Sequence, residues 1–326
     1  MNVSTDFSWY KLINIKGLGP KSMILVYRAL AHKNISIEDI FQLNEQDFYT
    51  MFTDFGKGKF SRVKYENFHN LNEEKLHDSF EELKNKNIKI IPVQDETYPK
   101  SIKQKLKINS PTILYCKGNL SLLNTKNISI VGSRNADEFA LMLTRNIASS
   151  LANEGFNIVS GYAKGVDTNA HLGALEADGT TTVVLPLGIN HLSIKRDFRA
   201  HNWEQNTLFI SQFMPYEKWQ ARHAMARNKI VTALSEAVII ITSGPERDEK
   251  GRMSGTFDAA KSSLQMNVPV FVLSPTLFAE PPKGNVDLIG LGAIEIQNGE
   301  DILTHLKKIA EDGEKAKEVG QIALSL

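Results

Sequence analysis

Four short stretches of this chain gather residue types suited to holding anions. In "ISIVGSRNADEFA" a β-branched run leads into Gly132, Ser133 and Arg134 and then into helix-forming residues. Glycine at such a corner permits a tight turn and close backbone approach. The serine hydroxyl and the N–H groups of the next helix can hold a phosphate oxygen, and arginine adds a bidentate fork. A surface arginine beside a structural turn has the same spelling. In "SGYAKGVDTNAH", Gly161 and Gly165 flank Lys164, and Asp167 and His171 fall one turn apart on the helix that follows. Asp167 either caps that helix or holds His171 in one orientation. An Asp–His pair also invites acid–base or metal chemistry. No other His, Cys or carboxylate has a recognisable metal-ligand spacing, so neither a metal nor a cofactor is expected.

In "HAMARNKIVTALSEAVIII", Arg227 and Lys229 stand on either side of Asn228 where a helix is expected to begin. Two cations around an amide suit a sugar–phosphate backbone, and equally a solvated helix face. Ser254-Gly255-Thr256 places small hydroxyl residues at another helix start, as an anion cradle or as a cap. Arg222, His223, Lys195, Arg196 and Arg199 add local positive charge. These corners share donors and cations without an arranged nucleophile, a P-loop lysine, a G-x-G-x-x-G fingerprint or paired carboxylates. Binding is favoured over turnover, and several anion sites along one edge suit a polyanion.

Such corners need a scaffold that sets them side by side. From Asn127 onward, short β-branched apolar runs alternate with helical patterns. Strands are expected at 128–131, 156–160, 181–185, 238–241 and 270–273, and their near-continuous apolarity suits parallel strands covered on both faces. Between the first two, Phe139, Leu143, Ile147 and Leu151 recur every four residues as a buried stripe, with Gly155 as a C-terminal cap. Repeated strand–helix–strand units imply right-handed crossovers and an α/β fold, Rossmann-like, with a doubly wound, mostly parallel sheet. Ligands in such sheets sit beyond the carboxyl ends of the strands. "GAIEI" suggests a last strand, followed by a helix over about 300–309.

Ahead of the sheet, the first eighty or so residues carry helical patterns. "WYKLINIKGLGPKSMILVYRAL" breaks at Gly17-Leu18-Gly19-Pro20 into a helical hairpin, whose glycines serve either a phosphate at the next helix or a plain turn. A Lys-rich segment with Pro92, Pro99 and Pro111 reads as a connector into a strand at 113–116. The expected organisation is a small helical domain over 1–82, a connector and start of the core over 83–126, a Rossmann-like domain over 127–310 and a tail over 311–326.

The chain has 326 residues, 42% of them hydrophobic, with 38 Lys+Arg against 37 Asp+Glu and a formal charge of +1. An anionic partner must therefore be drawn by a local patch. Cys116 has no partner for an internal disulfide, which fits a reducing cytoplasm. "MNVSTDFSWYKL" lacks a basic leader with an apolar core, and no apolar run approaches a membrane span. A cytoplasmic protein without membrane contact is expected.

In order along the chain, "YPKSI" with "PTILYCKGN", then "IVGSR", "VSGYAKGVDTNAHLGAL", "ARNKIVTALSEAVII", "SGTFDAA" and "GNVDLIGLGAIEI" resemble the bacterial DNA-processing protein A (DprA/Smf) family, over about 87–309. The resemblance implies a non-enzymatic Rossmann-like protein that binds and protects single-stranded DNA without sequence preference. It further implies homodimers and help in loading the RecA recombinase during recombination and natural transformation. An N-terminal domain of the sterile-alpha-motif-like (SAM-like) or helix-hairpin-helix type is implied as well, similar to the segment around 17–30. Carried over by position, Ser133, Arg134, Lys164, Arg227, Asn228 and Lys229 would line the DNA groove. Gly132, Gly161, Gly165, Ser254, Gly255 and Thr256 complete the candidate phosphate contacts.

Some positions depart from the family pattern. Lys164 and Lys229 stand where arginine is usual, keeping charge but losing the fork. Residues 244–252 look inserted, "INHLSIKRDFRAHNWEQN" lacks the usual tyrosine–proline step, and "SQFMP" replaces a serine–glutamate–x–proline pattern. The winged helix that ends some members is not expected. These departures bear on the pathway more than the fold and leave another DNA-handling or defence context open. The rival reading is a nucleotide-binding sensor, or a phosphoribohydrolase-like enzyme, on a related Rossmann fold. "RMSGTFDAA" lacks the glycine pair of the phosphoribohydrolases and has Asp258 in place of their glutamate, which argues against glycoside cleavage but not against a sensor. A closed pocket would favour a nucleotide and an open basic channel would favour DNA. Stacking aromatics would strengthen the DNA reading, with Phe139, Tyr162 and Phe257 as candidates that also suit a core.

Overall fold

The computed structural model describes residues 5–53, 65–309 and 311, so nearly all of the expected tail lies outside the described residues. Its centre is a nine-stranded sheet. The strands are β1 (Lys89–Pro92), β2 (Ile113–Gly118), β3 (Asn127–Val131), β4 (Asn157–Ser160), β5 (Thr181–Val184), β6 (Thr207–Ser211), β7 (Ala237–Ile240), β8 (Val270–Leu273) and β9 (Ile294–Ile296). Their order is β1-β2-β6-β5-β4-β3-β7-β8-β9. From β6 to β9 every neighbouring pair is parallel, whereas β2 is antiparallel to both β6 and β1. The chain steps from β3 out to β6 and then returns to lay β7 beside β3, so strand order reverses between β3 and β7. Their carboxyl ends form the crevice where such sheets bind ligands.

All the expected strands form, within a residue or two of their expected ends. Two more were not anticipated. β1 ends in Pro92, a residue that reads as a breaker but is tolerated in the outermost strand, where no further neighbour needs its missing N–H. β6 is a five-residue run hidden behind a polar segment. Residues 83–126 thus supply the two antiparallel strands at one side of the sheet, of which β1 is the edge.

Alternating side chains on each strand feed two cores. On one face, Ile128, Ile130, Ile158, Ile239, Ile241, Phe271 and Leu273 pack with Ile147, Leu151, Ala170 and Ala174 from helices Glu138–Asn153 and Val166–Glu176, and with Ile302. On the other, Val131, Val159, Val183, Val238, Ile240 and Val272 join Ile230, Val231, Phe257 and Leu288 from helices Ala221–Leu234, Gly255–Gln265 and Lys283–Gly290. That second core continues through Leu114 and Tyr115 of β2 into Trp9, Leu12, Val26 and Leu83 of the N-terminal helices. Tyr10 Oη donates to Ser79 Oγ (3.0 Å) between two of those helices. A final helix spans 299–309. Among the described residues no helix is long and apolar enough to cross a membrane.

The buried stripe of helix Glu138–Asn153 is Ala140, Thr144, Ile147, Ala148 and Leu151, whereas Phe139 is 42% exposed. Steps of four residues drift about 40° each around a helix of 3.6 residues per turn, so the expected stripe turned away from the sheet at its start. Gly155 does close the helix, at φ 81°, with its N–H donating to Ala152 O (2.9 Å).

Candidate nucleic-acid interface

The loops after β3 and β4 interlock because three glycines leave room for what lies against them. A Cβ on Gly132 would come within 2.7 Å of the Val166 side chain. One on Gly165, at φ 83°, would come within 2.5 Å of Ser133 O and 2.8 Å of Arg134 O. One on Gly161 would fall 1.0 Å from Arg227 Nη1. The backbone stitches the same loops: Ser133 N–H donates to Thr242 O (3.0 Å) beyond β7, and Val166 N–H donates to Ser133 O (3.2 Å). Ser133 Oγ accepts the Asn135 N–H (3.1 Å) and so closes its own turn. Asp137 caps helix Glu138–Asn153 by accepting the Ala140 N–H (2.7 Å). A carboxylate thus occupies the helix end expected to receive phosphate, and the open donor at this corner is the exposed Arg134.

Arg227 is the cation sequence reasoning placed least well. It lies in the second turn of a helix that begins at Ala221, not at the start of one, and it is only 4% exposed. Its guanidinium crosses over Gly161 and pairs with Asp167 (Nη1–Oδ2, 3.4 Å), itself 5% exposed. Burial lowers the arginine's pKa, which the Asp167 charge opposes. Its Nε has no hydrogen-bond partner among the described residues. Asp167 is therefore neither a cap nor a partner for His171. Gly165 holds the capping position with no side chain to offer, and the Asp167 carboxylate serves Arg227 and the Ala163 N–H (3.4 Å). Nothing local announces this pair, because its members stand sixty residues apart in the chain.

His171 is fully buried, with Nδ1 2.6 Å from Thr181 Oγ1. Burial first, then the charges of Lys195 and Arg227, push its pKa down to about 3. The unfolded imidazole titrates near about 6.5. Below that pH the unfolded chain binds a proton that the folded chain refuses, so this residue's contribution to stability is lost as pH falls from about 6.5 toward 3. Replacing His171 with asparagine should make the fall of melting temperature over that window shallower; an unchanged slope would assign it to other groups.

Lys164 is exposed, and among the described residues neither it nor Arg134 makes an ion pair or side-chain hydrogen bond. The β4 loop that carries Lys164 is held by Lys195, a residue the sequence marked only as local charge. Lys195 Nζ donates to Tyr162 O (2.9 Å) and Thr168 Oγ1 (2.5 Å) and lies 4.2 Å from the centre of the Tyr162 ring. Burial lowers its pKa. These contacts hold Tyr162 at φ 67°, a left-handed backbone that tyrosine rarely adopts.

Asn228 Nδ2 donates to Gly255 O (3.0 Å), which joins the Arg227 helix to the Ser254-Gly255-Thr256 corner. Lys229 is exposed beside them. Ser254 acts as the cap, accepting the Phe257 N–H (3.3 Å). Residues 244–252 fold back on themselves through an Arg247–Met253 bridge and an Asp248–Arg252 ion pair (2.7 Å), and Glu246 pairs with Lys261 (2.6 Å). Asn285, inside "GNVDLIG", is fully buried and bridges the ends of β7 and β8, donating to Ile241 O (2.8 Å) and Leu273 O (2.9 Å) while accepting the Ser243 N–H (2.8 Å). A buried asparagine in a helical pattern gave no sign of that role.

The twelve candidate residues therefore form one connected edge over the carboxyl ends of β3, β4 and β7, with Arg134, Lys164 and Lys229 facing solvent. Cavities of about 170 Å³, between Glu246 and Gln265, and about 350 Å³, against Met142 and Arg145, do not reach the β3 and β4 corners. Of the expected stacking aromatics, Phe257 is buried and Tyr162 packs edge-on to Phe198 and Phe209. Phe139 packs edge-on to Phe278.

The family model described as DNA recombination-mediator protein A matches residues 89–307. The DNA processing protein DprA of Bacillus subtilis is 30% identical over 221 residues, covering 67% of this chain and 71% of that protein. The crystal structure of DNA processing protein A from Streptococcus pneumoniae superposes with a TM-score of 0.74 at 24% identity, covering 93% of this chain and 98% of that one. DNA processing protein A from Helicobacter pylori, a protein with a structurally described single-stranded DNA binding mode, gives a TM-score of 0.56 at 29% identity, covering 68% of this chain and 96% of that one.

Proposed function

The chain belongs to the DNA recombination-mediator protein A family, and from that premise we propose that it binds single-stranded DNA along the edge built from the β3 and β4 loops and helix Ala221–Leu234. The observation that carries the reading is the pair Arg134 and Lys164: two exposed, unpaired cations on loops locked together at Gly165, beside a buried arginine with an unspent N–H. Such groups meet phosphates, which carry no sequence information, so binding is indifferent to base order. A strand held by its backbone keeps its base edges free, which suits protection followed by transfer to a RecA-type recombinase. Two copies of the chain would bridge or coat such a strand as a homodimer. The role is one of binding without turnover, in DNA recombination or natural transformation.

A fluorescent single-stranded oligonucleotide titrated over a salt series, with matched duplex as competitor, tests the reading. Affinity should fall steeply with salt, by a log–log slope of about −0.7 per neutralised phosphate, and duplex should compete poorly. No binding at low salt would sink it.

A further inference from the structure

Tyrosine and tryptophan, with an apolar ring and a polar handle, are enriched where a surface is covered by a partner. Between β6 and helix Ala221–Leu234, Tyr216 and Trp219 are each 51% exposed, and Met225 just inside the helix is 39% exposed. Among the described residues Trp219 makes no ring contact and no side-chain hydrogen bond.

The loop that carries them is braced. Gly188 N–H donates to Glu217 O (2.7 Å), Asn190 N–H to Pro215 O (3.0 Å), and Glu217 N–H to Met214 O (2.9 Å). His191 Nε2 lies 2.9 Å from Tyr216 O, and His223 Nε2 lies 3.1 Å from Glu217 Oε1. The Tyr216 hydroxyl donates to Glu82 of the N-terminal helices, which fixes its ring. Little ordering remains to be done when a ligand arrives.

The charges around it complete the pattern. Lys218 flanks Trp219, while Glu217 faces His223 and Glu82 is taken up by Lys86 and Tyr216. Arg222, Met225 and Lys229 recur at i, i+3 and i+7 on the helix and all three are exposed, so one stripe runs along the helix just after Trp219 to Lys229 beside the Ser254-Gly255-Thr256 corner, on the face away from the buried Arg227. Trp219 stands two residues ahead of the helix start at Ala221, which lies about 9 Å before Arg227 along the axis at about 1.5 Å per residue. Exposed aromatics interleaved with cations beside a phosphate-binding edge are the arrangement that holds single-stranded nucleic acid by stacking.

We propose that Trp219, with Tyr216 beside it, is a stacking platform for the bases of a single strand whose phosphates run along Arg222 and Lys229 to the Arg134–Lys164 corner. The proposal rests on the DNA reading above and adds a contact to bases that the phosphate edge does not supply. The test compares a thymidylate oligomer with an abasic phosphodiester oligomer of equal length and charge.

The unmodified chain should prefer the thymidylate oligomer by about tenfold, as one good stack supplies. Trp219→Leu should erase that preference while leaving abasic affinity and salt slope unchanged, and Trp219→Phe should keep most of it. Equal binding of both oligomers by the unmodified chain, or a full preference in Trp219→Leu, would overturn the platform and leave the phosphate edge standing; the latter would point to a protein partner for this face. Failure of the unmodified chain to bind either oligomer would overturn the DNA reading and the platform together.

Discussion

Replacing Gly161 with alanine should lower stability by about 3–5 kcal/mol, the range for breaking a buried ion pair, and remove single-strand binding with it. The new Cβ would lie 1.0 Å from Arg227 Nη1 and 2.0 Å from its Cζ, in space the guanidinium fills. An arginine is flexible and would swing out, but only by leaving the Asp167 carboxylate buried with a single long hydrogen bond from the Ala163 N–H (3.4 Å). The uncompensated charge, more than the clash, sets the cost. Adding Asp167→Asn to Gly161→Ala should therefore recover much of the loss, whereas Asp167→Asn alone, which strands Arg227, should be destabilising. Chemical denaturation of the four proteins closes the cycle. Additive losses, or a Gly161→Ala protein as stable as the parent, would show that the pair holds little of the corner together.

Arg134→Ala and Lys164→Ala should each weaken single-strand binding about tenfold at low salt and reduce the steepness of its salt dependence by about one phosphate's worth. Both side chains are exposed and unpaired, so melting temperatures should barely move, as for most surface substitutions. That separates them from Gly161, where binding and stability fall together. Arg134→Lys should keep the salt slope and lose part of the affinity, since the charge stays and the fork goes. Unchanged affinity and slope in both alanine variants would remove these residues from the interface, whatever the fold family.

Much of this could be read from the chain in order. The parallel strands other than β6 announced themselves as β-branched runs, and the corners after β3 and β4 as glycines beside cations, because those patterns record local backbone demands. Gly132, Gly161 and Gly165 stood out as corners that allow close backbone approach, and what approaches them, Val166, Arg227 and Ser133, the sequence did not name. Asp167 looked like a cap from its place at a helix start, or a partner for His171 from the four-residue spacing, and it proved to be the counter-ion of a distant arginine. Phe257 and Trp219 have the same aromatic character, yet one is core and the other faces water.

By itself, then, the sequence determined the class of the sheet, the place of the glycine corners at its strand ends and the family. Each of these is written in periodicities and short motifs that neighbouring residues carry. Only the tertiary structure decided which cations remain free. Arg227 spends its charge on Asp167 while Arg134 and Lys164 face solvent, because the return of the chain from β6 to β7 lays helix Ala221–Leu234 over Gly161 and across the β4 loop. Burial and pairing are properties of that crossing, and no stretch of sequence contains both of its sides.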